Sequence, residues 1–222
     1  MSKEEVIEAI NNLNDDDDFV RIEAESTIAM NMPAEIDVLH EEVLKEDYPK
    51  NTKLTMVELL RELKDPSSIE VFVELLHDRN KWVRRQSSSA LADYGDDAVE
   101  SLLTVVDDES WRARGGAVWA LAKISNPDTL DVFLKASKDE KSFVRGGAVF
   151  GLGNIGGDEA VEALKELADS DDSGYIKANA LTFLEKLVEY PFLIYFFIFL
   201  LWIFDLNPIF IIFFFQFLQN IC

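Results

Sequence analysis

Cysteine is almost missing from this chain: of its 222 residues only the last, Cys222, is one. No disulfide can close within the chain and no cluster of thiolates can hold a metal, which suits a reducing compartment. Histidine is nearly as scarce, with His40 in VLHEEV and His77 in LLHDRN. The single His-Glu pair, His40 with Glu41, is too little to ligate a dinuclear centre. Both rings read as ordinary histidines near helix ends, where the dipole favours a cation, so neither a metal nor another cofactor is expected. Basic residues are the third shortage: Lys and Arg number 21 against 42 Asp and Glu, a formal net charge of −21. No basic stripe interrupts that charge, so a phosphate backbone is repelled and nucleic acid is not an expected partner. A basic protein or peptide fits the charge, and so does a purely solubilising role. The opening MSKEEVIEAINNLNDDDD runs straight into a charged amphipathic helix rather than a leader, and residues 1–190 read as cytoplasmic.

What the chain does have is a period. An Asp is followed six positions later by Arg or Lys at Asp15/Arg21, Asp47/Lys53, Asp78/Arg84, Asp108/Arg114, Asp139/Arg145 and Asp171/Lys177, and the basic members step by 32, 31, 30, 31 and 32 residues. A repeat of this size is the signature of a solenoid, in which each unit contacts only its neighbours and the product is a long curved surface rather than a central cavity. Before each acidic turn apolar residues recur at helical spacing, as in Ile69, Phe72, Val73 and Leu76; after it a second stripe begins, as in Val144, Ala148, Leu152 and Ile155. Each unit is therefore a helix hairpin. Pro33, Pro66 and Pro127 near the starts of first helices, and Gly95 and Gly156 at the ends of second ones, agree. The units are 3–32, 33–64, 65–95, 96–125, 126–156 and 157–188. The six Asp and six basic partners read as a structural ladder: the carboxylate accepts from the free N–H groups opening the second helix, and the basic side chain reaches that carboxylate or the one in the next unit.

The segments WVRRQSSSALADYG (82–95), RARGGAVWALAKIS (112–125) and FVRGGAVFGLGNIG (143–156), each behind an acidic turn, resemble the HEAT-repeat family, and most nearly the subtype found in phycobilin lyases. The resemblance covers about residues 3–188 and implies an all-α, right-handed α-α solenoid of about six hairpins, with the helices bearing Arg84, Arg114 and Arg145 lining its concave side. Unit two departs from the pattern, with Thr52 before Lys53. Unit six has the longer turn ADSDDSG, where Asp169 or Asp172 competes for the place of Asp171. Phycobilin lyases attach a bilin to a cysteine of a light-harvesting protein, and the resemblance implies a lyase-like accessory protein or chaperone as one reading. The residues themselves offer no nucleophile or acid/base pair, and GLGNIGG (151–157) lacks the preceding strand a phosphate-binding loop needs. Catalysis is not expected from them.

The non-catalytic reading is an interaction scaffold. Counting from the ladder residue as zero, the core stripe takes −1, +3 and +7, while −2, +2 and +5 form another face. That face carries Trp82, Gln86 and Ser89, then Arg112, Gly116 and Trp119, then Phe143, Gly147 and Phe150, with Tyr175 extending it. Aromatics where a solvated helix would carry Lys or Glu suggest a partner-binding surface. Gly115, Gly116, Gly146 and Gly147 demand close approach, either by a partner or by neighbouring helices. Residues 190–222 are different in kind, almost wholly Phe, Ile and Leu with Asp205 as the only charge. Three readings stand for this tail: a membrane hairpin or anchor through 191–218, turning at DLNP, the product of a frameshift or lost stop codon, or a segment packed on the last repeat.

Overall fold

The computed structural model describes residues 3–32 and 34–187, and every regular element among them is helical. The helices pair in chain order. Helix α1 (Lys3–Asn12) is followed by α2 (Asp18–Asn31), and α3 (Ile36–Leu44) by α4 (Lys50–Leu63). Next come α5 (Ser68–Glu74) with α6 (Lys81–Asp93), α7 (Val99–Leu103) with α8 (Trp111–Ile124), and α9 (Leu130–Ala136) with α10 (Ser142–Ile155). The last pair is α11 (Asp158–Ser170) with α12 over 174–187. Short 3-10 turns at Leu75–His77, Gly95–Ala98 and Pro127–Thr129 prolong or open the first helices. The chain is thus an α-solenoid of stacked hairpins. The apolar segment 190–222 lies outside the described residues, and with it all three readings of that segment. Among the described residues no helix is long and apolar enough to cross a membrane.

The core is one continuous slab between the two layers of helices. It runs from Val6, Ile10 and Ile28 through Leu39, Met56 and Leu60, then Phe72, Leu76 and Leu91, to Leu121, Phe133 and Leu152 and on to Leu164 and Ile176. Each side chain comes from the stripe that its helical period turns inward. Helices α6, α8 and α10, rich in Gly, Ala and Ser, pack on one another far more closely than the first helices of the same units do. Closer spacing on one side bends the stack, which places α6, α8 and α10 on its concave side. Second helices end alike: Lys64, Gly95, Ser125 and Gly156 all take positive φ, at +51°, +63°, +59° and +71°. The steps between them are 31, 30 and 31 residues, so even where the residue is not glycine the register imposes the left-handed turn that stops the helix.

The turn aspartates tie unit to unit. Oδ1 of Asp78, Asp108, Asp139 and Asp171 accepts the main-chain N–H two residues on, at 2.6–2.8 Å. The carboxylates also face the preceding unit. Lys53 reaches Asp78, with both side chains buried. Arg114 donates from Nε (2.9 Å) and Nη2 (3.2 Å) to Asp139, and Arg145 from Nε (2.6 Å) and Nη2 (3.0 Å) to Asp171. A second bond explains the spacing of six: Nη1 of Arg84, Arg114 and Arg145 donates to the carbonyl of Asp78, Asp108 and Asp139, at 2.6, 2.8 and 2.9 Å. At the ends the pattern closes on itself. Arg21 holds the Asp15 carbonyl and Asp18 rather than Asp47, and Lys177 stops at the Asp169 carbonyl. In unit six Asp171 keeps the ladder position, and Asp172 adds a bond to Arg145 at 2.5 Å.

A second tie crosses three units, with Asp93 accepting from Arg61 Nε at 2.7 Å and Lys123 Nζ at 2.8 Å. Burial opposes ionisation of Asp93, but the hydrogen bonds and charges of Lys123 and Arg61 outweigh it and hold the carboxyl below the ordinary carboxylate range. A carboxyl depressed in the fold contributes stability that is whole above its unfolded value, about 3.9, and is lost as pH falls through the folded value. Asp93→Asn should therefore cost about 1–2 kcal/mol at pH 7, with the difference from wild type shrinking below about pH 4. Urea melts of both proteins at pH 7 and pH 3 measure this; a difference that stays the same at pH 3 would count against the ion pairs as its source.

Candidate functional site: an aromatic groove on the concave side

Helices α6, α8, α10 and α12 begin side by side, and their first turns open onto a groove of about 840 Å³. Its rings come one or two from each helix: Trp82 from α6, Trp111 and Trp119 from α8, Phe143 from α10 and Tyr175 from α12. Trp82, Phe143 and Tyr175 are held 45%, 47% and 58% exposed, well above what a packed aromatic shows. The rings form a row, with centroids 6.0 Å apart for Trp111 and Phe143, 6.2 Å for Trp119 and Phe143, and 5.0 Å for Trp119 and Phe150. Trp119 donates from Nε1 to the Phe143 carbonyl at 3.0 Å. It separates the groove from a smaller hollow of about 350 Å³ that Phe150 and Asn154 line.

The polar lining is cationic. Lys81, Arg84 and Arg85 from α6 and Arg112 from α8 face the groove with Ser88, Ser142 and Ser173, and no carboxylate is among the lining residues. The Arg112 guanidinium sits 4.6 Å from the centroid of the Trp111 ring, and the ammonium groups of Lys50 and Lys81 lie 5.6 and 5.2 Å from that of Trp82. Such contacts hold a cation beside an aromatic face without neutralising it.

The structure sorts the residues the sequence singled out. Trp82, Arg112, Gly116, Trp119, Phe143 and Tyr175 come together in the groove, Phe150 lines the smaller hollow, and Gln86 and Gly147 line neither. Gln86 turns its Oε1 inward, where it has no hydrogen-bond partner among the described residues. The paired glycines are filled from within the molecule. A Cβ on Gly115 would stand 2.4 Å from the Phe143 ring, one on Gly116 2.9 Å from Leu76, one on Gly146 3.3 Å from Trp119, and one on Gly147 2.9 Å from Val118. The close approach they permit is that of neighbouring helices.

The sequence reading missed Lys81, Trp111, Arg85, Ser88 and Ser142. All stand at −3, +1 or +4 from the ladder residue, one helical stripe round from the face it chose, and the i, i+4, i+7 set Lys81, Arg85 and Ser88 was the available signal. The partner's charge also needs correcting. A basic partner follows from the net charge of −21, but the groove that would receive it is lined by cations. Net charge sums the whole surface, whereas binding feels the side chains within about a Debye length of 8–10 Å.

A stack of helix hairpins with a concave binding layer defines the class of α-helical repeat proteins. Within it the chain belongs to the HEAT-repeat family, which it matches over residues 36–114 and 99–185. It is 34% identical over 90 residues, 39% of this chain and 45% of the relative, to the phycocyanobilin lyase subunit beta of Nostoc sp. strain PCC 7120. It thus spans less than half the length of that relative. Among solved structures it is similar to the complex of CpcE and CpcF of phycocyanin lyase from Nostoc sp. PCC7120. There the TM-score is 0.51 and the identity 30%, over 56% of this chain and 81% of that one. The resemblance read from the sequence and these two comparisons agree on a phycobilin-lyase-like HEAT-repeat protein.

Proposed function

We propose that the protein is a non-catalytic binding module whose concave groove captures a segment of a protein partner. The observation that carries this is the row of half-exposed rings, Trp82, Phe143 and Tyr175, held around an open groove of about 840 Å³. Burying such anchors supplies most of the energy in a protein interface. The similar Nostoc structure is itself a complex of two proteins, which supports a protein as the occupant. A second reading, a lyase-like accessory for a cofactor-bearing partner, draws its support from both Nostoc relatives. A bilin whose absorbance shifts on mixing with the protein would favour it.

The useful substitutions are Trp82→Ala and Tyr175→Ala, because both rings stand about half exposed rather than enclosed in the core. Proteins captured from the native cell by the full chain, identified by mass spectrometry, should be lost by the double variant while its melting temperature stays within about 2 °C of wild type. Trp119→Ala makes the contrast, since that indole packs against Gly146, Gly147 and Phe150. It should lower the melting temperature by about 5 °C. Equal capture by wild type and the Trp82/Tyr175 double variant would sink the groove as the binding surface.

A further inference from the structure

Arg84 is the rung at which the ladder breaks. Its Nη1 holds the carbonyls of Asp78 (2.6 Å) and Arg79 (3.0 Å), the same bracket that Arg114 makes with Asp108 and Glu109 and Arg145 with Asp139 and Glu140. Arg114 and Arg145 then use Nε and Nη2 for the aspartate of the next unit. Arg84 does not; Oδ2 of Asp108 pairs instead with His77 Nε2 at 3.1 Å. The remaining N–H groups of Arg84 have no partner among the described residues, and its guanidinium stands in the wall of the groove. The nearest strong influence on it from the next unit is another cation: burial and the charge of Arg112 lower the Arg84 pKa against the pull of Asp78. Arg112, Arg85 and Lys81 likewise have no ion-pair partner among the described residues. In a chain with twice as many acids as bases, four cations around one aromatic groove without a single lining carboxylate is an arrangement lacking its anion.

We propose that Arg84 and Arg112 form a carboxylate-binding site in this groove, and that its occupant is an acidic segment of a protein partner whose Asp or Glu supplies the ladder carboxylate that Arg84 lacks. The inference rests on the groove being the binding surface. A planar guanidinium with two free donors on one edge matches a carboxylate bidentately, as Arg114 and Arg145 show inside this molecule. The rings beside it take the apolar side chains that flank the acid. The net charge of −21 disfavours a long polyanion, so a short acidic stretch with apolar neighbours fits better than a nucleic acid strand.

The test uses the full chain and two acetylated, amidated hexapeptides, one alternating glutamate with phenylalanine and one alternating glutamine with phenylalanine, titrated calorimetrically. Wild type should bind the glutamate peptide about tenfold more tightly. Arg84→Gln should erase that preference, and Arg112→Gln, at an exposed side chain that braces nothing but the Trp111 face, should reduce it about threefold. Equal binding of both peptides by wild type overturns the carboxylate site and leaves the groove standing. Loss of the preference in the arginine variants with unchanged binding in the Trp82/Tyr175 double variant keeps the site and removes the aromatic reading. No binding of either peptide, or displacement of the glutamate peptide by an oligothymidylate, overturns the proposal.

Discussion

Replacing Asp171 by alanine should lower the stability of the fold by about 3–4 kcal/mol, because it strands a guanidinium that cannot shed its charge. The Asp171 side chain is 2% exposed and that of Arg145 11%. The pair is bidentate, and Oδ1 of Asp171 also accepts the Ser173 N–H at 2.7 Å, so one carboxylate joins unit five to unit six and opens α12. Burial alone would raise the Asp171 pKa, but the Arg145 hydrogen bonds, the Ser173 N–H and the charge of Arg145 together lower it. Removing the carboxylate forfeits all of these at once. A lysine in the place of Arg145 could lose its proton; an arginine stays charged. Asp172 softens the loss, since it also bonds Arg145, but at 88% exposure it is too well solvated to replace a buried partner. In urea the midpoint should fall by about 1–2 M, whereas Asp172→Ala should move stability by no more than about 0.5 kcal/mol. The double variant Asp171→Ala with Arg145→Leu should recover much of the loss, as replacing a buried pair by apolar groups does. A single Asp171→Ala protein as stable as wild type would mean that the ladder counts repeats without holding them.

The ladder also shows what could be read in advance and what could not. Its spacing is local: six residues separate an aspartate carbonyl from the guanidinium that reaches it, so the sequence carries the signal, and six hairpins follow from six copies. Which base answers which carboxylate in the next unit is not local. Asp108 and Arg114 have the same spacing as every other pair, yet Asp108 receives His77 where the pattern would bring Arg84, because the choice depends on how α5 and α6 seat against the next turn. The glycines teach the same lesson. Gly115 and Gly116 advertise an opening in α8, but the groups that fill it, Phe143 and Leu76, come from the following and the preceding unit, far away in sequence. The sign of the groove was hidden for another reason: Lys81, Arg85 and Arg112 lie on two helices from separate units, in a sequence whose dominant statistic is acidity. Aromatic positions were legible because exposed tryptophan is rare against any background.

Gly151→Ala should destabilise the protein by about 2–3 kcal/mol, although helix propensity alone favours alanine by about 1 kcal/mol. Gly151 lies within α10, where its φ is ordinary, so backbone freedom is not the reason for glycine there. A Cβ would stand 2.3 Å from Cδ1 and Cε1 of Phe133 and 2.5 Å from its Cγ, distances no packing tolerates. Phe133 has nowhere to go, being fully buried on α9 as one of the largest enclosed side chains. The ring must leave its rotamer or the hairpin of unit five must open, and either outcome exceeds the gain in propensity. A fall of about 5–10 °C in melting temperature should register this by circular dichroism. Gly174→Ala is the matched control: nothing lies within 4 Å of its added methyl, so stability should stay within about 0.5 kcal/mol of wild type. Trimming the obstacle, with Phe133→Leu in the Gly151→Ala background, should restore part of the loss if the clash is its cause. A Gly151→Ala protein that melts at or above wild type would show instead that α9 and α10 have room to spare, and that the glycines of the second helices do not set the spacing of the stack.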